Sequence, residues 1–349
     1  MRGALAAEFD RARLLEEWSA LYARAAPNFF QSPAFVAAWL AAAGEGVRLL
    51  RIEEDGEPLA MGFVGGARSL WFGETGRPKF DRLYVEYQDF LIAAGEGDAA
   101  RRDAALDALI DGAPEASEFV FRNTRPALTA ACARAAARRG LDMRVLLIQP
   151  TFAVDLAEGD LALSSSLRAK IRRSLKRYEE RGPVRLVPAR TAEERAAAFE
   201  AMIALHEPYW KARGEPGAFA DPELRGFHER FIAAAPEGAD LLRFTAGDET
   251  IGVLYNFIAG GRVYNYQSGF RAERDNQFAP GFTAHWLAIR HYREMGFSAY
   301  DLMAGEADYK RRLGRAGETL TSLVIERRSV LQRARSLARR FRSARTRQT

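Results

Sequence analysis

Residues 262–314 decide the fold, and they read RVYNYQSGFRAERDNQFAPGFTAHWLAIRHYREMGFSAYDLMAGEADYKRRLG. Large apolar or aromatic residues alternate with polar ones over 263–270, which predicts a β-strand. Residues 286–293 follow a helical spacing, and Gly296 ends that helix. The short apolar run 297–303 predicts a second strand. Because strand–helix–strand units are right-handed, the two strands should be parallel neighbours.

A unit of this kind has a natural ligand crevice. Polar residues at the carboxyl ends of the strands meet the backbone N–H groups that open the helix, here near Pro280 and Gly281. Those N–H groups and the helix dipole favour negative charge. The sequence therefore predicts an anion-binding crevice at this edge of the sheet.

The order of residues in this stretch resembles a known family. It runs Y-x-Y-Q-S-G-F at 264–270, Pro-Gly at 280–281, and F-x-x-Y-D-x-x-x-G-x-x-x-Y-K at 297–310. This order looks like the FemAB/CelD-like branch of the GNAT acyltransferases, and the resemblance extends over most of the chain. It implies two GNAT-type domains in tandem, of which the second keeps the better-formed cleft.

The rest of the chain fits that organisation. Each half runs helices, an antiparallel meander, a helix and a strand, and residues 84–92 are predicted as one of the strands. We predict an α+β fold with two mixed sheets flanked by helices. The predicted domains are 1–155, an N-terminal GNAT-like domain, and 156–326, a C-terminal GNAT domain with the active cleft. Residues 327–349 form a basic tail.

Composition limits the cellular setting. A chain of 349 residues is long enough for two domains. No apolar run approaches the roughly 18 residues of a membrane-spanning helix, and the N-terminus lacks the pattern of a secretory signal. The single cysteine, Cys132, excludes an internal disulfide and fits a reducing cytosol. We therefore expect a cytoplasmic protein.

The positive charge is local. The net charge is +5, and residues 327–349 hold nine Arg and no acid, so the remainder carries −4. A second basic run lies at 168–185. Such patches favour local contact with phosphates or lipid headgroups. Apolar residues at three–four spacing in the tail, from Val330 to Phe341, predict a basic amphipathic helix on an anionic inner membrane surface, with disorder as the alternative.

Acyl transfer to an amine needs a base for the ammonium proton, donors for the oxyanion and an acid for the leaving thiolate. Asp301 and Glu306 are candidate bases because both are expected at the C-terminal end of the last parallel strand, and His206 is another candidate. Tyr309 lies where the resemblance implies an acid tyrosine. The alternatives are a turn cap for Asp301 and a core aromatic for Tyr309.

The resemblance also implies the binding residues. Acyl-CoA would lie between splayed strands, with its pyrophosphate at the start of the helix. The predicted cofactor-binding residues are Gln267, Ser268, Gly269, Pro280, Gly281, Phe282 and Thr283. The predicted substrate-binding residues are Tyr264, Tyr266, Tyr209, Trp210, Lys310, Arg172 and Arg173. Pro280 removes one N–H donor, so a plain helix cap stays open as an alternative.

The expected activity is acyl-CoA-dependent N-acylation of an amine on a cell-envelope precursor at the cytoplasmic membrane face. The acceptor would be an exopolysaccharide amino sugar or a membrane lipid amine such as a sphingoid base. Direct attack by the amine is favoured, because Cys132 has no histidine near it in sequence. FemAB-type transfer from aminoacyl-tRNA and a non-catalytic scaffold are alternatives, and nucleic acid is a partner only in the former. The four histidines show no metal-binding spacing.

Overall fold

The computed structural model describes residues 1–83, 85–157, 163–214, 216–217 and 219–327, without the side chain of Tyr209. The predicted tail beyond Arg327 therefore lies outside the described residues. The described helices are α1 Arg11–Tyr22, α2 Pro33–Ala43, α3 Asp98–Asp111, α4 Pro126–Arg139, α5 Ser165–Glu179, α6 Ala192–Lys211, α7 Pro222–Ala234, α8 Pro280–Glu294 and α9 Asp308–Leu313. None of them is long and apolar enough to cross a membrane.

The described strands form one 13-stranded sheet in the order β1-β2-β3-β4-β6-β13-β7-β12-β11-β10-β9-β8, with β5 beside β3. Their bounds are β1 Arg2–Ala6, β2 Arg48–Glu54, β3 Glu57–Gly65, β4 Ser69–Phe72, β5 Leu91–Ile92, β6 Glu118–Thr124, β7 Asp142–Asp155, β8 Val184–Pro188, β9 Ala239–Ala246, β10 Glu249–Ala259, β11 Arg262–Phe270, β12 Ala299–Ala304 and β13 Arg315–Glu326.

The strand–helix–strand unit predicted from residues 262–314 is confirmed. β11 and β12 are parallel neighbours, and α8 connects them. α8 has Pro280 at its first position, where a missing N–H has no cost, and it ends beside Gly296 at φ +82°. The periodicity of the sequence was sufficient to predict this unit because its two strands and its helix follow one another along the chain.

The two expected sheets are in fact one, because the halves exchange strands. β13, from the end of the chain, lies between β6 and β7 in the first half. β7, from the end of the first half, lies between β13 and β12 of the second. A pattern of apolar residues does not reveal which half supplies a strand's neighbours, so the exchange could not be read from the sequence.

One local prediction was wrong and one strand was missed. Residues 84–92 were expected to form a strand, but of the described residues 85–92 only Leu91–Ile92 do, after a 3₁₀ turn at Phe80–Leu83. Residues 85–90 run through the interior without a regular ladder. The chain also begins with a strand, β1, which pairs antiparallel with β2. Its composition, RGALA, has no strand signal of its own, and its pairing depends on distant residues.

Three apolar clusters hold the sheet and helices together. One lies under α3 and α4 and includes Cys132, which is buried. One lies under α5 and α8 in the second half. The largest joins the halves, since it contains Trp18 of α1, Phe35 of α2, Phe231 of α7 and Tyr264 of β11. This shared core fixes the first half against the cleft of the second.

Candidate active site

β11 and β12 open into a cleft. They pair only from Arg262 with Ala299 to Tyr264 with Asp301, and beyond that point they separate. A cavity of about 900 Å³ lies where they part. Tyr266 is an extra residue in β11, because Asn265 and Gln267 pair with consecutive residues of β10. Such a bulge bends a strand and re-aims its side chains, here toward the cavity.

The start of α8 forms part of the cavity wall through Pro280, Gly281 and Phe282. Thr283 N–H already donates to Ala279 O, whereas Gly281 and Phe282 carry N–H groups in the first turn, which have no partner within a helix. Lys170 of α5 and Arg312 of α9 lie over the Phe282 ring, 5.2 and 5.0 Å from its centroid. This end of the cavity is therefore suited to phosphate.

α6 covers the cavity with His206 and Trp210. It can pack this closely because residue 269 is glycine: a Cβ there would lie 2.3 Å from Met202 O. Trp210 Nε1 donates to His206 Nε2 at 2.6 Å, so that nitrogen carries a lone pair and no proton. Burial lowers the pKa of His206, which keeps the ring neutral. As placed here, His206 orients Trp210 rather than accepting a proton at Nε2.

The first half of the chain contributes a carboxylate, Glu86, to the cavity lining. Its Oε2 accepts a hydrogen bond of 2.8 Å from Ala304 N–H in β12. Burial raises the pKa of Glu86 to about 7, although the Ala304 N–H and the charge of Lys310 act in the opposite direction. A carboxyl group with that pKa exchanges protons near neutral pH, as a general base must.

Glu86 reaches the cavity because its segment fills the equivalent cleft in the first half. There β4 and β6 pair in parallel only up to Trp71 with Val120. Past that point Gln88 takes the place of β4: its N–H donates to Asn123 O and its O accepts from Arg125 N–H, both at 3.0 Å. The cleft of the first half is therefore filled by this segment. The same segment places Glu86 at the open cleft between β11 and β12.

Asp301 does not line the cavity. Its carboxylate is 1% exposed and accepts hydrogen bonds from Tyr87 Oη at 2.8 Å, Arg262 Nε at 3.1 Å and Met303 N–H at 2.7 Å. Burial raises its pKa, and these donors oppose the rise. Tyr87 and Met303 both have positive φ, at 55° and 63°, which is strained for residues with a side chain. Asp301 therefore holds two strained residues in place beside Glu86.

Two further groups border the cavity from α9. Lys310 donates from its ammonium to Ala304 O, and burial lowers the pKa of Lys310 while the charge of Glu86 raises it. Tyr309 stacks on His285, with ring centroids 5.3 Å apart. His285 in turn contacts Tyr300 Oη at 2.9 Å, and burial lowers its pKa to about 3, so it stays neutral.

The cavity brings together ten of the predicted site residues, namely His206, Trp210, Tyr266, Gln267, Ser268, Pro280, Gly281, Phe282, Tyr309 and Lys310. The remaining ones with described side chains lie elsewhere. Glu306, Arg172 and Arg173 are exposed outside the lining, and Tyr264 is packed in the core. Thr283 is buried and donates to Ser174 Oγ. Among the described residues no three His, Cys, Asp or Glu side chains are grouped to hold a metal ion.

The open cleft between parallel strands, closed by a helix start, agrees with the comparisons. A family profile described as an acetyltransferase (GNAT) domain matches residues 165–311. The solved structure of FemX covers 92% of this chain and 97% of its own length, at 12% identity and a TM-score of 0.60. This chain has a tandem GNAT fold. The FemAB-like arrangement expected from residues 262–314 is thus confirmed as a fold.

Other solved structures align over similar lengths. L-PGS from Bacillus licheniformis covers 96% of this chain and 97% of its own, with 10% identity and a TM-score of 0.56. A tandem GNAT protein from the clavulanic acid biosynthesis pathway covers 93% and 98%, with 13% identity and a TM-score of 0.51. At these identities the likeness concerns the fold alone. No curated protein matches the sequence.

Among the lining residues that sequence reasoning missed are two with charges suited to the chemistry, Glu86 and Lys170. Glu86 lies in a segment that was taken for a strand, about 180 residues before Tyr266 of β11. Lys170 lies on the basic helix α5, whose charges were noted, but Arg172 and Arg173 were chosen instead. A helical wheel of α5 anchored on buried Leu167 and Ile171 would have placed Lys170 nearer the buried side.

Proposed function

We propose that this chain is an acyl-CoA-dependent N-acyltransferase, in which Glu86 is the general base. The observation that carries the proposal is the half-buried carboxylate of Glu86, which accepts a hydrogen bond from Ala304 N–H, lies near Lys310 and lines a cleft between two separating strands of a GNAT domain. A neutral-range base, a cleft for an extended donor and a phosphate-suited helix start together match the needs of acyl transfer to an amine.

The donor would enter between β11 and β12. Its phosphates would meet the first-turn N–H groups of Gly281 and Phe282, with Lys170 and Arg312 beside them. The thioester would then lie along the exposed edge of β11, near Tyr266 and Gln267. A ligand of this size is compatible with a cavity of about 900 Å³.

The chemistry would proceed by direct attack. Glu86 takes a proton from the ammonium of the acceptor, and the free amine adds to the thioester carbonyl. The C–S bond then breaks, the thiolate takes a proton from Tyr309, one of two tyrosines in the lining, and the nitrogen gives its second proton to the Tyr309 phenolate as the amide forms. The Lys310 ammonium beside Glu86 offsets negative charge during these steps.

The first test is release of free CoA thiol from acyl-CoAs of increasing chain length, with and without amine acceptors. Glu86→Gln should abolish amine-dependent release, whereas Glu306→Gln should retain it, since Glu306 is exposed outside the cavity. Release that requires Glu306 and not Glu86 would restore the sequence-based choice of base. No release with any donor would remove acyl-CoA from the proposal.

A second candidate donor is aminoacyl-tRNA. The outer face of α5 directs Arg168, Arg172, Arg173 and Lys176 to solvent rather than into the cavity, and such a row suits a polyanion larger than CoA. Filter binding of tRNA over a salt series separates the two donors. A steep fall of affinity with salt, lost on reversing these four charges, favours tRNA; no binding at low salt removes it.

The envelope acceptor and the membrane contact remain proposals. The membrane contact gains support from four consecutive apolar residues of β7, Val145 to Ile148, which are 47–62% exposed next to Arg144. Exposed apolar runs of this kind mark contact surfaces. Co-sedimentation with anionic vesicles tests the idea: a Leu147→Asp, Ile148→Asp double variant should bind less than wild type, and equal binding would contradict a role for this strand.

A further inference from the structure

A short turn of the first half carries a cation into the wall of the large cavity. This 3₁₀ turn spans Phe80–Leu83, and Arg82 is the residue of the turn that lines the cavity. The other three residues, Phe80, Asp81 and Leu83, are buried, whereas Arg82 is exposed. The buried neighbours fix the backbone at this point, so the Arg82 side chain extends from a rigid base.

Hydrogen bonds anchor the turn on both sides of Arg82. The buried Asp81 carboxylate accepts from Thr75 N–H at 2.9 Å and from Thr75 Oγ1 at 2.8 Å. Leu83 O accepts from the hydroxyl of Tyr266 at 2.6 Å. Because Tyr266 is the extra residue of the β11 bulge, this last contact holds the turn next to the bulge.

The turn lies at the opposite end of the cavity from the helix start that suits phosphate. Tyr266 and Phe270 are four residues apart in β11, which is roughly 13 Å at about 3.3 Å per residue. The start of α8 is at the Phe270 end, since a Cβ on Gly281 would lie 3.4 Å from the Phe270 ring. Arg82 is therefore at the end where the acceptor would bind, on the segment that also carries Glu86.

The charges of the lining leave Arg82 without a counterion. Among the described residues the lining contains three cations and one carboxylate, namely Arg82, Lys170, Lys310 and Glu86. Lys170 lies at the phosphate end, and the Lys310 ammonium donates to Ala304 O. The Arg82 guanidinium makes no hydrogen bond or ion pair within the described parts of the chain. The acceptor end thus has two cations for one carboxylate.

We propose that Arg82 binds an anionic group, a carboxylate or a phosphate, on the amine acceptor. This rests on the proposed function, in which Glu86 receives the proton of the acceptor ammonium. A guanidinium stays charged at all ordinary pH values, and its fork of N–H donors fits a carboxylate or phosphate in a bidentate way. An acceptor with an ammonium and an anion would balance Glu86 and Arg82 together.

This subsite narrows the class of acceptor. An amino sugar that bears a phosphate or a carboxylate satisfies both Glu86 and Arg82. A sphingoid base that has only hydroxyl groups besides its amine leaves Arg82 unpaired. Arg82 is accordingly a specificity-determining residue, since it would contact the acceptor and none of the reacting atoms.

The test compares amines that differ only in the anion. The ω-amino acids from glycine to 6-aminohexanoate are each matched with the alkylamine that lacks the carboxylate, which also scans the spacing between the two charges. Glucosamine 6-phosphate is matched with glucosamine. Isothermal titration calorimetry on the full chain measures binding, and release of CoA thiol measures kcat/KM. Wild type should prefer the anionic member of at least one pair by about tenfold or more.

Arg82→Gln should abolish that preference and leave the neutral members within about twofold of wild type. Arg82→Lys should keep part of it, because an ammonium retains the charge but lacks the bidentate fork. The matched control is Lys79→Gln, which removes an equal charge from an exposed residue of the same segment outside the lining. This control should keep the wild-type preference. A preference confined to the amino acid pairs identifies a carboxylate, and one confined to the sugar pair identifies a phosphate.

Equal binding of both members of every pair by wild type overturns the anion subsite. A preference that Arg82→Gln retains does so as well, and so does an equal loss in Lys79→Gln, which would indicate a long-range effect of charge. These results leave acyl transfer standing if CoA is released. Conversely, a preference in calorimetry that depends on Arg82, without release of CoA from any donor, supports the subsite while the proposed function falls.

Discussion

The carboxyl group of Glu86 lies near Lys310 in a half-buried position and accepts a hydrogen bond from Ala304 N–H. Burial penalises its charged form more than these two partners favour it, so its pKa rises to about 7. Its neighbour Tyr87 donates to Asp301, which fixes the backbone at this point. The pKa that suits Glu86 to act as a base therefore depends on the groups packed around it.

Glu86→Gln should remove the base and with it the pH dependence. Wild-type activity should rise with pH through about 7 as the carboxylate forms, and the variant should lose at least about a hundredfold in rate and show no such rise. The measurement is kcat/KM between pH 5.5 and 9. A variant that keeps the same pH profile would show that another group titrates.

The same pKa predicts an effect on stability. Because the folded pKa lies above the ordinary value of 4.5, protonation favours the folded state, and this contribution is lost as pH rises from that value through about 7. Glu86→Gln should therefore melt at a higher temperature than wild type at pH 8, with a smaller difference at pH 4.5. Equal differences at both values would contradict the burial of this charge.

Asp301→Asn tests whether Asp301 is a base or a support. The carboxylate anchors Tyr87, Arg262 and Met303, so we expect a loss of about 2 kcal/mol in the free energy of unfolding, measured in urea. Activity should fall, but the rise through pH 7 should remain because Glu86 still titrates. If the variant is as stable as the wild type and its activity no longer rises through pH 7, Asp301 is the base that the sequence predicted.

At the scale of elements, the cavity depends on how closely α6 lies on β11. Because Gly269 has no Cβ, Met202 O can lie close to its Cα. This contact sets the distance of His206 and Trp210 from the cleft. The separation of β11 from β12 supplies the other wall. The positions of α6, β11 and β12, rather than single catalytic groups, determine the volume of the cavity.

Gly269→Ala should therefore force α6 outward. We expect a loss of about 1–3 kcal/mol in the free energy of unfolding, together with weaker donor binding. Gly281→Ala is the matched control for stability, because a Cβ there would meet only the Phe270 ring at 3.4 Å. Urea denaturation of both variants measures the difference, and equal stabilities would show that α6 shifts freely.

For the whole molecule, the exchange of β7 and β13 makes the halves interdependent. Each supplies a strand that lies inside the sheet of the other, and their helices share one apolar cluster. A strand removed from the middle of a sheet leaves two unpaired edges. The chain should consequently unfold as one cooperative unit.

This interdependence predicts the behaviour of fragments. Residues 1–155 lack β13, and residues 156–349 lack β7, so each fragment alone should aggregate or lack a cooperative thermal transition. Co-expression should restore a soluble complex of both. Circular dichroism melting and size-exclusion chromatography provide the measurement. A fragment that melts cooperatively as a monomer would contradict the role of the exchanged strands.

The site could be predicted only in part from the sequence. The Pro280–Phe282 segment was found because it lies within one continuous strand–helix–strand unit, and Tyr309 and Lys310 were found from the family resemblance of residues 297–310. The base now proposed was missed, because Glu86 is brought in by a segment without regular periodicity. Asp301 was expected at the C-terminal end of the last strand, but it lies in the middle of β12, and its side chain turns to Tyr87 and Arg262, residues that no local pattern connects to it.

By itself the sequence determined the local elements: periodicity, caps and glycines specify β11, α8 and β12. The tertiary structure alone decided which strands neighbour each other, which cleft stays open and which acid reaches it. The reason is physical. Local sequence patterns reflect the contacts that a residue makes with its near neighbours in the chain. The exchange of β7 and β13 and the placement of Glu86 depend on contacts between residues more than a hundred positions apart.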